Sequence, residues 1–214
     1  MSEQKAYLDK ESTAYLWSKI KETFKQKEVA ATISVSPSLF EKGVSTSVKV
    51  SWTSKLDGSQ VTPESSFVTQ GDDGKIISET ANSSTTVTIS DTTKFTHTTT
   101  VSGTSKSATA TATAVYPMYF GSSANSTLTS DNVLAMTKQA IKSSPAGSYS
   151  VAVSASQYMW LCVPSTMTIN KVTSSGFDVP LEAAATVSVT GKITYKCYRS
   201  SSTYVAGTVN IVIS

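Results

Sequence analysis

The chain has 214 residues and a formal net charge of +3, with 39% hydrophobic and only 15% charged positions. That length accommodates one or two domains of roughly 100–200 residues, and the dispersed basic residues form no cationic run with interleaved aromatics, which excludes nucleic acid as the partner. No apolar stretch reaches the roughly 18 residues of a membrane-spanning helix, so no membrane insertion is expected.

Serine and threonine together fill about 70 positions, a third of the chain. Threonine suits the pleated, half-buried surface of a strand, and serine fills turns and outward positions without the desolvation cost of a charge. A mainly β protein follows. Disorder does not, because disordered chains combine few β-branched residues with high net charge.

About a third of the charged side chains precede Val29, which marks a boundary and separates a segment 1–29 from the rest. Within it a helix is predicted from an N-cap at Asp9 to about Lys27, with Glu11 in the first turn where the helix dipole favours a carboxylate. At 100° steps Leu8, Tyr15, Leu16, Trp17, Ile20 and Phe24 fall on one half with Ser12 and Thr13, while Lys10, Lys21, Lys25, Glu11 and Glu22 lie opposite. Only Lys19 intrudes on the apolar half. The arc is wider than a two-stranded coiled-coil seam, so this amphipathic helix is read as an element for docking or oligomerisation, against the alternative of packing on its own neighbouring domain.

From Thr32 to Tyr119 the period becomes two. Val44, Thr46, Val48, Val50 and Trp52 share one face, and Ser45, Ser47, Lys49 and Ser51 share the other. Phe95 to Val101 and Ala108 to Ala114 alternate likewise, and Asp57-Gly58, Asp73-Gly74 and Ser102-Gly103 are turn signals. About seven short strands fit, so residues 30–120 are expected to form a small antiparallel, immunoglobulin-like sandwich, though without the cysteine bridge of antibody domains.

A second sandwich is expected over 121–214. It opens on a short helix capped by Ser130 and running through Val133, Met136, Thr137, Ala140 and Ile141 until Pro145 and Gly147. Tyr149, Val151 and Val153 alternate, whereas Tyr158 to Val163 is continuously apolar and reads as a strand buried on both faces. Val187 to Cys197 alternates again, and Val209, Ile211 and Ile213 close the chain.

Chemistry-bearing patterns are sparse. His97 is the one histidine and shares a face with Phe95 and Thr99, so it is read as a strand residue and not as a metal ligand. Cys162 and Cys197 lack CxxC spacing and are either buried free thiols or a disulfide between neighbouring strands. Asp72 and Asp73 beside Gly74 read as solvated turn residues, and Asp178 with Glu182 lacks flanks that would raise acidity. No catalytic motif occurs, so neither catalysis nor a cofactor nor a metal is expected. Tyr198 with Tyr204, or Tyr116 with Tyr119 and Phe120, could stack on sugar rings or pack in the core.

The opening YLDKESTAYLWSKIKETF, with Leu16, Trp17, Lys19 and Ile20 at its centre, resembles the opening segment of tail and fibre proteins of phages that infect gut bacteria. VYPMYFGSS, QYMWLCVPSTMTINKVTSSGFDVPL and YKCYRSSSTYVAGTVNIVIS are similar to the small β domains of fibre and baseplate appendages of crAss-like or related tailed phages. The resemblance implies a structural virion protein, a tail or head fibre or a fibre adaptor. Its helix (Leu8, Tyr15, Leu16, Trp17, Ile20, Phe24) would dock on other virion proteins or form a homotrimer, and its β domains would project outward. A host-surface glycan adhesin using Tyr198 and Tyr204, and a capsid decoration protein, are the alternatives. The charged opening lacks the apolar stretch of a secretion signal. Assembly in the bacterial host cytoplasm followed by release in the virion reconciles that with a neutral, hydroxylated surface.

Overall fold

The computed structural model describes residues 10–23 and 27–214. Of these, 55% are strand and 9% helix, so the chain is mainly β with a helix at its N-terminal side. In chain order come α1 (Lys10–Thr23), β1 (Val29–Ser36), β2 (Leu39–Glu41), β3 (Thr46–Leu56), β4 (Ser59–Gln60), β5 (Ser65–Gln70), β6 (Lys75–Ser78), β7 (Ser84–Ile89), β8 (Thr93–Val101) and β9 (Thr104–Val115). There follow β10 (Tyr119–Ser123), α2 (Ser130–Leu134), β11 (Thr137–Lys138), β12 (Gly147–Val153), β13 (Gln157–Pro164), β14 (Val172–Ser174), β15 (Phe177–Asp178), β16 (Ala185–Ser188), β17 (Thr194–Tyr204) and β18 (Gly207–Ile213).

These strands make sheets ordered β1-β3-β4 with β7 beside β3, β2-β9-β8-β5-β6, β11-β10-β13-β17-β16 and β12-β18-β14-β15. The chain divides into two compact units that are interleaved in sequence. One takes the described residues up to Ser34 with Ser51–Ser84 and Phe95–Thr109, and the other takes Val35–Val50, Thr85–Lys94 and Ala110–Ser214.

In the first unit the expected alternation holds. Phe95, His97, Thr99 and Val101 of β8 are buried while Thr96, Thr98 and Thr100 are not. The tight turns form where Asx-Gly and Ser-Gly pairs stand: Asp57 and Gly58 take φ of 50° and 80°, and Ser102 and Gly103 take 49° and 70°. Two successive positive φ values are what a two-residue hairpin needs to match the strand twist.

His97 is fully buried and fully used. Its Nδ1 lies 3.1 Å from the Thr32 carbonyl oxygen, which can only accept, so Nδ1 carries the proton. Nε2 then accepts from the Ser66 hydroxyl, 3.1 Å away. Burial pushes the imidazole pKa below its usual value, against the opposing pull of the Thr32 carbonyl, and the ring is a neutral strut between β1, β5 and β8. Trp52 is anchored in the same unit by its indole N–H, which donates to Thr80 O at 2.8 Å.

In the second unit β13 is central and, as its unbroken apolar run implies, buried on both faces. Met159, Leu161 and Val163 join Phe120, Tyr149, Val151, Ile211 and Ile213 in an apolar layer shared by two sheets. Trp160 and Cys162 face the other way, into a cluster with Tyr119, Val133, Met136, Val187, Tyr195 and Cys197.

Three expectations for this unit change. The short helix is capped by Thr129 and not by Ser130: the Thr129 hydroxyl accepts from Asn132 N–H, and the Asn132 side chain accepts from Thr129 N–H at 3.0 Å. Ser130 is engaged elsewhere, with its hydroxyl accepting from Thr190 N–H at 2.9 Å. The helix also stops at Leu134, because Thr137 and Lys138 are taken up as β11, opposite Phe120 and Tyr119. A backbone partner on a sheet edge outcompetes one further helical turn. Finally, β10 crosses residue 120 and pairs along its whole length with β13, so Tyr119 and Phe120 belong to the C-terminal sheet.

Candidate functional site

Helix α1 carries no buried residue. Tyr15, Leu16 and Trp17 are 65%, 47% and 58% exposed, and Ile20 is half-buried. Leu8, Phe24 and the Asp9 cap lie outside the described residues. Lys19, the one charge on the apolar half, has its ammonium 3.0 Å from Glu22 and 5.8 Å from the centre of the Tyr15 ring. The helix therefore presents an aromatic and aliphatic surface to solvent, which helices of monomeric soluble domains normally turn inward.

The tyrosines proposed for sugar stacking sit differently. Tyr198 is buried in the shared apolar layer, and its hydroxyl accepts from Ile169 N–H at 3.2 Å. Tyr204 is half-buried against the same layer, and burial pushes its phenol pKa up. Tyr119 and Phe120 are core residues, and Tyr119 packs on Tyr195 at 5.9 Å between ring centres. The aromatic ring that this unit does expose is Phe177, at 78%. Asp178 is exposed and paired with Lys171 at 2.8 Å. Among the described residues, no three His, Cys, Asp or Glu side chains group as a metal site.

One charged constellation was not visible in the sequence. The Glu41 carboxylate, 14% exposed, receives the Lys138 ammonium at 2.9 Å and the Lys192 ammonium at 3.0 Å. These partners are 97 and 151 residues away, so no local pattern announces them. Close by, the Tyr195 hydroxyl donates to Pro117 O at 2.8 Å, within the same unit. Burial works against ionisation of Glu41, but the two lysine hydrogen bonds and charges outweigh it and hold the carboxyl below its ordinary value.

Glu41→Gln is expected to lower unfolding stability by about 2 kcal/mol, since two ammonium groups lose a charged acceptor. A depressed folded pKa adds stability that is complete above the unfolded carboxylate value of about 4.3 and is lost as pH falls through the folded one. In urea titrations the gap between wild type and Glu41→Gln should therefore be constant above about pH 5 and narrow below it. A gap that is absent at neutral pH would show that the cluster contributes nothing.

Comparison with known proteins found no matching family model, no matching curated protein and no matching solved structure. No helix among the described residues is long and apolar enough to cross a membrane.

Proposed function

We propose that this chain is a structural virion protein of a tailed bacteriophage, a fibre or fibre adaptor that is held on the particle by its N-terminal helix and projects two small immunoglobulin-like β-sandwiches. The observation that carries the reading is α1 itself, a helix without a buried residue that offers Tyr15, Leu16 and Trp17 to solvent. Such a surface needs a partner, because apolar area returns roughly 25 cal/mol for each Å² removed from water.

The rest of the chain suits a spacer. Strands β3 and β8 turn most of their Ser and Thr outward and bury the opposite face, and a neutral outer face avoids repulsion when copies crowd on one particle. The role needs no catalysis and no cofactor. Its partners are other virion proteins and copies of itself, most simply in a trimer.

The test is removal of residues 1–26, which spares Glu28, whose backbone N–H donates to Asp57 at 2.9 Å. The truncated chain should fold with an unchanged far-ultraviolet β signature, sediment as a monomer where the full chain is an oligomer, and be absent from purified particles. Normal incorporation of the truncated chain would overturn the docking role, and a monomeric full chain would overturn the fibre form of the proposal.

A further inference from the structure

Cys162 and Cys197 stand directly opposite each other on β13 and β17. Both are buried free thiols, and they lie in one cluster on the same face of the sheet. Nothing in the docking role uses them.

The ladder identifies the kind of pair they make. Ser165 N–H donates to Thr194 O at 2.9 Å, so the step beyond the end of β13 is hydrogen-bonded across the strands. Antiparallel pairs alternate between bonded and non-bonded. Pro164, which has no N–H, therefore faces Tyr195 in a non-bonded position, Val163 faces Lys196 in a bonded one, and Cys162 faces Cys197 in a non-bonded one. The outer side of β17 agrees: the Arg199 carbonyl accepts from Glu182 N–H at 2.8 Å, pointing away from β13 as the alternation requires.

Non-bonded antiparallel pairs bring their α-carbons to about 4.5 Å, inside the roughly 4.4–6.8 Å range that a disulfide spans. Burial, with the Cys197 thiol beside it, pushes the Cys162 pKa far up. The pair is therefore geometrically ready and kinetically shielded, since the thiolate is the reactive form.

We propose that Cys162 and Cys197 are an oxidisable pair that closes into a cross-strand disulfide between β13 and β17 when the protein meets hydrogen peroxide or a similar small two-electron oxidant. One sulfur attacks a peroxide oxygen, breaking the O–O bond and giving a sulfenic acid and one water. The second thiol then attacks that sulfur, the S–S bond forms, and the hydroxyl leaves with the second thiol proton as another water. Two thiols are oxidised and one peroxide is reduced to two waters. Because the thiols are shielded, closure proceeds through local opening of β17 or during folding. It would latch the central strand of the C-terminal unit once the protein has left a reducing cytoplasm. This holds whether or not the chain is a fibre.

The experiment treats the full chain with hydrogen peroxide in two ways, natively over hours and during refolding from urea. It then reads intact mass and thiol titre under denaturing conditions. The expected product is a monomer on non-reducing gels, lighter by two hydrogens and without titratable thiol, with a melting midpoint raised by on the order of 5 °C that a reductant reverses. Cys162→Ala and Cys197→Ala should each lack the two-hydrogen loss and the midpoint shift. Two intact thiols after both treatments, or oxygen addition to sulfur without loss of two hydrogens, would overturn the proposal.

Discussion

Trp160→Ala should cost about 4 kcal/mol of unfolding stability, because replacing a buried tryptophan by alanine removes the transfer free energy of the ring and leaves a cavity. Trp160 is 1% exposed and the largest fully buried side chain among the described residues. It lies on the central strand β13, opposite Gly121 on one side and Arg199 on the other. Against a total of about 5–15 kcal/mol for a typical domain, the loss leaves the C-terminal unit marginal at room temperature. Trp160→Phe separates packing from polarity. The indole N–H has no hydrogen-bond partner, so phenylalanine gives up no bond and removes a buried donor. Its expected cost is only about 1–2 kcal/mol, from lost volume. Urea unfolding followed by circular dichroism checks both substitutions. An alanine variant within about 1 kcal/mol of wild type would mean that the sheet does not depend on this strand.

That expectation rests on a feature the sequence states openly. The run YMWLCV has no polar alternation, and a strand without a polar face must be covered on both sides. The alternations in β3 and β8 were equally legible, since each strand buries one face and period two records it. The turns at Asp57-Gly58 and Ser102-Gly103 were legible because positive φ restricts the residues that can stand there. What stayed hidden depends on partners far away in the chain. Thr129 and Ser130 are equal candidates for a cap until Thr190 engages one of them. Thr137 continues a helical pattern until the edge of β10 takes it as a strand. Glu41 is an ordinary acid until Lys138 and Lys192 arrive. Tyr198 follows the same logic: one tyrosine in an alternating strand fits either face, and the register with Leu161 turns it inward.

The exposed helix gives the complementary case, in which a substitution should leave folding alone and remove assembly. Leu16→Gln together with Trp17→Gln retains reasonable helix formers on α1 and alters two side chains that no core residue covers. Unfolding stability should therefore stay within about 0.5 kcal/mol of wild type, as for most surface changes. If α1 is the docking element, each of these side chains contributes about 2 kcal/mol on burial in an interface, and losing both weakens association by roughly a thousandfold per copy. Sedimentation should then show the oligomer dissociating at concentrations where wild type stays assembled, and purified particles should lack the variant. Lys21→Gln, on the charged side of the same helix, is the control and should assemble normally. If the Leu16 and Trp17 variant matches wild type in sedimentation and in incorporation, the apolar face of α1 is not the contact. If the Lys21 variant fails alongside it, recognition is electrostatic, and the charged face of the helix carries the docking.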